Sequence, residues 1–138
     1  MSRTHFKKNT KNLIAISSKY QETSQSLAVF EVSDHSLLIA LPEQISKEQQ
    51  TQYLKSILTK QKIGKHSSII LDMSQVSHLN KETMLVFLGL IKGIYVCGLK
   101  IIICDVSEAI VPFLIKDDLF IKNITFKQNL KTALEETL

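Results

Sequence analysis

Between Ser67 and Cys104 the chain carries two short apolar runs, SSIILDM (67–73) and KIIIC (100–104), with a long apolar segment between them. Short runs of this kind, bounded by polar residues, mark strands that are buried on both faces. The intervening KETMLVFLGLIKGIYVC opens after Asn80 and closes at Gly98. An asparagine side chain accepts a free N–H of the first helical turn, and glycine adopts the left-handed conformation that ends a helix. Two buried strands joined by a helix form a right-handed crossover with the strands parallel. This unit restricts the fold more than any other part of the sequence.

The flanking segments extend the same pattern. LAVFEV (27–32), a turn at SDHS (33–36) and LLIAL (37–41) predict a hairpin that ends at Pro42. Ser46 and Gln49 then fit a reciprocal capping box, and Tyr53, Leu54, Ile57 and Leu58 give one apolar helix face that Gly64 closes. After KIIIC, Ser107–Asp118 reads as a helix bent at Pro112. A short strand near Ile121–Phe126 follows, then a last helix from about Lys127, with Thr125 and Gln128 as a second capping box and Leu130, Ala133 and Leu134 as its face. The order is β-β-α-β-α-β-α-β-α. It predicts an α/β fold with a mixed, mostly parallel sheet of four to five strands and about four helices.

Charge divides the chain in two. Residues 1–27 hold Arg3, Lys7, Lys8, Lys11 and Lys19 against Glu22 alone, whereas residues 28–138 hold twelve lysines, no arginine and twelve acids. We therefore expect a basic, flexible tail over 1–26 and a neutral domain over 27–138, one domain being ample for 138 residues. A body without arginine, a basic face or interleaved surface aromatics argues against nucleic-acid binding. Cys97 and Cys104 match no usual zinc spacing and sit in apolar surroundings, as reduced cysteines of a cytoplasmic protein do. Leu13-Ile14-Ala15-Ile16 is too short for a signal core. The run from Met84 to Val96 falls short of the roughly 20 residues a membrane span needs.

In open α/β sheets ligands gather at the carboxyl ends of the strands. That rim contains Asp72 and Ser74 after one strand and Asp105 and Ser107 after the next. An enzyme would use Asp72, His78, Glu82 and Asp105 there as an acid/base or metal cluster. No phosphate-loop, dinucleotide, nucleophile-elbow or zinc-protease motif accompanies them. Carboxylates at strand ends also accept local backbone bonds in turns. A receiver-type phosphoacceptor site would need a further acidic pair, which Leu41-Pro42-Glu43 matches poorly. His5, His35, His66 and His78 lack paired ligand spacing, so neither metal nor cofactor is expected. The helix start at Asn80 is the stronger signal, because its free N–H groups favour an anion beside the rim.

Residues 67–119 resemble the STAS domains, the fold of bacterial anti-sigma factor antagonists. Asp72-Met73-Ser74 is similar to the family's strand end, Val76 and Leu79 to its apolar positions, and Cys97-Gly98-Leu99 to its later turn. Residues 29–58 are similar to its hairpin and first helix, and small stressosome-type members resemble the whole most. The resemblance implies a non-catalytic module that binds a histidine-kinase-like anti-sigma factor (a switch kinase) or a STAS scaffold. The implied contacts are Ser77, His78, Asn80, Lys81, Glu82 and Thr83. The family's switch is a serine or threonine at the first helical position, phosphorylated by the partner. Its Asp-Ser falls on Asn80-Lys81 here, and lysine has no hydroxyl. Ser77 and Thr83 are the nearby hydroxyls, and the resemblance does not decide whether either is modified. Two alternatives remain: a STAS subunit of a lipid-transport ABC complex, and a small α/β enzyme using Asp72, His78 and Asp105. Self-association is open, since the Met84–Val96 helix is apolar on nearly every side.

Overall fold

A computed structural model describes residues 29–116 and 122–137. The expected tail lies outside the described residues. The elements are β1 (Phe30–Ser33), β2 (Ser36–Ala40), α1 (Lys47–Gly64), β3 (Ser68–Asp72), α2 (Lys81–Val96), β4 (Lys100–Cys104), α3 (Val111–Leu114), β5 (Ile124–Lys127) and α4 (Leu130–Thr137). The sheet order is β1-β2-β3-β4-β5; β1 and β2 are antiparallel and every other pair is parallel. The α/β expectation and its element order hold.

The register explains why the central strands are apolar without alternation. Leu37, Ile69, Ile101 and Ile124 align across the sheet, as do Ile39, Leu71 and Ile103, and both rows enter the core with Tyr53, Ile57, Phe87, Leu90, Ile91 and Ile94 of α1 and α2. The intervening row of Leu38, Ile70 and Ile102 points the other way, onto Ala133 and Leu134 of α4. Helices therefore cover both faces, and both side-chain parities must be apolar.

Helices α1 and α2 lie side by side on one face and approach closely. The Gln50 Nε2 donates to the Val86 carbonyl at 2.7 Å. A Cβ on Gly89 would meet Gln50 Nε2 at 2.1 Å, and one on Gly93 would meet Leu54 Cδ2 at 2.7 Å. Glycine at these two positions leaves room for the Gln50 and Leu54 side chains between the helices. Both helices run from the carboxyl ends of the strands back to their amino ends, so their starts share one rim.

Two local expectations are corrected. Among the described residues of Ser107–Asp118 only Val111–Leu114 is helical, with Pro112 in the first turn where no donor is needed. Ser107 to Ile110 instead forms a turn closed by Ile110 N–H to the Ser107 carbonyl; Asp117 to Ile121 lie outside the described residues. The last helix begins at Leu130, capped by Asn129, whose Oδ1 accepts the Thr132 N–H at 2.9 Å. Thr125 cannot cap it, because Thr125 pairs with Ile102 inside β5. Gly64 closes α1 as expected, and Lys65 after it takes the left-handed conformation at φ 53°. The glycine also makes room for the His66 ring, since its Cβ would lie 2.5 Å from Cε1. His66 is buried and its Nε2 lies 3.0 Å from Glu31 Oε2, tying β1 to the end of α1.

Candidate functional site at the starts of two helices

The site grows out of the end of β3. Asp72 Oδ1 accepts the Ser74 N–H at 2.9 Å, and Val76 N–H returns to the Met73 carbonyl at 2.9 Å, so the chain turns tightly as it leaves the sheet. Val76 is buried and Leu79 packs partly against the core, pinning the loop at both ends. Ser77 and His78 lie exposed between these anchors, with Ser77 Oγ 3.1 Å from His78 Nδ1. Asn80 Oδ1 then accepts the Thr83 N–H at 2.7 Å and α2 begins. Lys81 and Glu82 are exposed, while Thr83 is 8% exposed and faces inward. Thr83 is thus a wall of the site rather than a surface contact.

A groove of about 730 Å³ opens between the starts of α1 and α2. Asn80, Glu82, Thr83 and Leu85 line one side, and Ser46 and Lys47 the other. The α1 wall was not singled out from sequence, although the signal was present: two capped crossover helices on one face of a parallel sheet must start at the same rim. At α1 the capping is reciprocal, Ser46 Oγ accepting the Gln49 N–H at 3.1 Å and Gln49 Oε1 accepting the Ser46 N–H at 2.8 Å. At α2 the third residue is Thr83, too short to reach back, and only the Asn80 side chain caps.

The second predicted cluster forms separately. Donor atoms of Asp72, Cys104 and Asp105 lie within 4.8 Å of one another. Cys104 belongs to the core on the α4 side of the sheet. Asp105 stands at φ 58°, and the backbone of Leu130 at the start of α4 favours the ionised form of its carboxyl. Burial, and then the neighbouring Asp72, push the Asp105 carboxyl above its ordinary range. Burial and the two carboxylates push the Cys104 thiol upward, and the protonated thiol favours the ionised form of Asp105 beside it. A cation here would find two carboxylates and a neutral sulfur, a poor match to sites that need thiolate. His78, named with these aspartates in the enzyme reading, is not among them and pairs with Ser77. Ser74 and Ser107 flank the cluster through turn bonds, Ser107 Oγ accepting from the Ala109 N–H at 3.4 Å.

Comparison with known proteins fits this geometry. A family model described as STAS domain matches residues 28–133. Among solved structures, an RsbS variant from Moorella thermoacetica is similar at a TM-score of 0.64 and 16% identity, covering 78% of this chain and 93% of that one. A chain from a structure of the stressosome, described as a signal integration and transduction hub, gives 0.61 and 15%, covering 79% and 94%. The phosphorylated Bacillus cell fate determinant SpoIIAA gives 0.59 and 14%, covering 80% and 98%. No curated protein matches the sequence. Among the described residues no helix is long and apolar enough to cross a membrane.

Proposed function

We propose that this chain, which belongs to the STAS domain family, is a non-catalytic interaction module that binds a switch-kinase-type or scaffold partner through the Ser77–Met84 loop and the start of α2. The observation that carries this reading is the α2 start itself: Glu82 lines a groove and Lys81 stands exposed next to it in sequence, at the positive end of a helix whose one side-chain cap is Asn80. The solved relatives are described as a stressosome component and as a cell fate determinant that occurs phosphorylated, which supports a signalling role.

Lys81 sets the electrostatics of this surface. Two N–H groups of the first turn remain without intrahelical partners, and the helix end carries about half a positive charge. A phosphate there would bring a charge of about −1.5 to −2, whereas Lys81 adds a positive one. The family's phosphoacceptor position therefore carries a fixed positive charge, and a partner complements it with a carboxylate. The test is to combine the purified protein with candidate histidine-kinase-like partners and to compare Lys81→Glu. A complex weakened by the substitution supports the reading; no complex with any candidate, or equal affinity, contradicts it.

A further inference from the structure

The body of the chain is neutral by count, but the structure sorts its charges. No acid occurs between Glu48 and Asp72 or between Glu82 and Asp105. On α1, Lys55, Leu58 and Lys62 follow one another at three- and four-residue spacing, so they share a face, and all three are exposed. On α2, Lys92 and Val96 do the same. These faces point away from Tyr53, Ile57, Phe87, Leu90 and Ile94, which enter the core, and so form the outer surface of the helix pair. Val96 is 84% exposed, Ile63 at the end of α1 is 84% exposed, and Leu58 is 48% exposed. None of the three lysines forms an ion pair with a described residue. The expectation of a body with no basic face is thereby overturned.

We infer that this outer face of α1 and α2 docks onto an anionic lipid surface. Lysines free of acidic neighbours complement a negative leaflet, and their long stems let the ammonium groups reach headgroups while Leu58 and Val96 enter the acyl boundary. The composition separates this occupant from others. Protein interfaces are enriched in arginine and depleted in lysine, and direct base reading favours arginine, which the body lacks. A second copy would set lysines against lysines. The groove at the helix starts lies at the other end of the pair and stays free for a protein partner.

The test uses the full chain, so the basic first 27 residues are the same in every variant. Co-sedimentation compares vesicles of phosphatidylcholine with vesicles containing about 30% phosphatidylglycerol, since each lysine near such a surface contributes about fivefold in binding. The wild type binds the anionic vesicles only, and binding falls with added salt. Lys62→Glu with Lys92→Glu lowers it by at least about twenty-five-fold. Leu58→Ser with Val96→Ser lowers it severalfold, with the thermal midpoint unchanged because these side chains are exposed. Absence of binding to anionic vesicles overturns the inference. So does binding that both double variants retain, which would assign it to the tail. Charge-dependent binding to duplex DNA or polyglutamate without vesicle binding overturns it as well.

Discussion

The starts of α2 and α4 solve the same problem in different ways. Each leaves free N–H groups at its positive end, and each is capped by an asparagine, Asn80 and Asn129, at 2.7 and 2.9 Å. At α4 the chain supplies its own acid, the Asp105 carboxyl, whose ionised form the Leu130 backbone favours. At α2 it supplies none within the turn that faces the groove except Glu82, and Lys81 stands beside it. The α4 start is closed, and it closes at a cost: burial and Asp72 disfavour the very charge placed there. The α2 start is open. A helix end left uncompensated on an exposed rim is a place where an outside carboxylate gains what Asp105 gains inside.

The largest effect expected from this contrast is on binding. Lys81→Glu should weaken the partner complex at least about tenfold, a loss of about 1.4 kcal/mol, in a calorimetric titration. Lys131→Glu, at the matching turn of α4, should leave it within twofold. Next, Asn80→Ala should cost about 1 kcal/mol of stability in urea unfolding, since it strips the only side-chain cap of α2. Equal stability would mean that the α2 start is already satisfied by other means. Smaller still, Lys81→Glu should stabilise the free domain by about 0.3–1 kcal/mol, because an acid in the first turn suits the dipole and a lysine does not. Binding and stability would then move in opposite directions from one substitution. The smallest effect is a pH dependence at α4. The fold raises the Asp105 carboxyl, so its contribution to stability is present at low pH and is lost as pH rises through its native range. Asp105→Asn keeps an acceptor for Leu130 and should raise the thermal midpoint more at about pH 7 than at about pH 4. A gain of the opposite slope would show that the pair is not strained.

Much of this was legible because its signals are local. The capping box at Ser46 and Gln49, the cap at Asn80 and the stop at Gly98, which sits at φ 85°, depend on residues within one turn. The strands KIIIC and SSIILDM were legible because burial on both faces leaves no alternation to misread. Where long-range packing decides, the sequence was silent. Gly64 reads as a helix stop and does end α1, but nothing local shows that it also makes space for the His66 ring or that Lys65 absorbs the left-handed turn. Thr125 and Gln128 have the spacing of a capping box, but pairing with β4 claims Thr125 for a strand. The charge count failed for the same reason: a neutral total hides lysines gathered on one face. The α2 start was read from its Asn80 cap and the loop contacts from the family resemblance, whereas the α1 wall of the groove needed the topology.

The central claim is that Lys81 makes the α2 start a receptor for a partner's acid. The most direct measurement is a double-mutant cycle between Lys81→Glu and charge reversal of acidic residues on a bound kinase-like partner. The account predicts that one reversal restores at least about tenfold of the lost affinity, a coupling of about 1.4 kcal/mol. Additive losses at every partner acid, with no restoration, would contradict it.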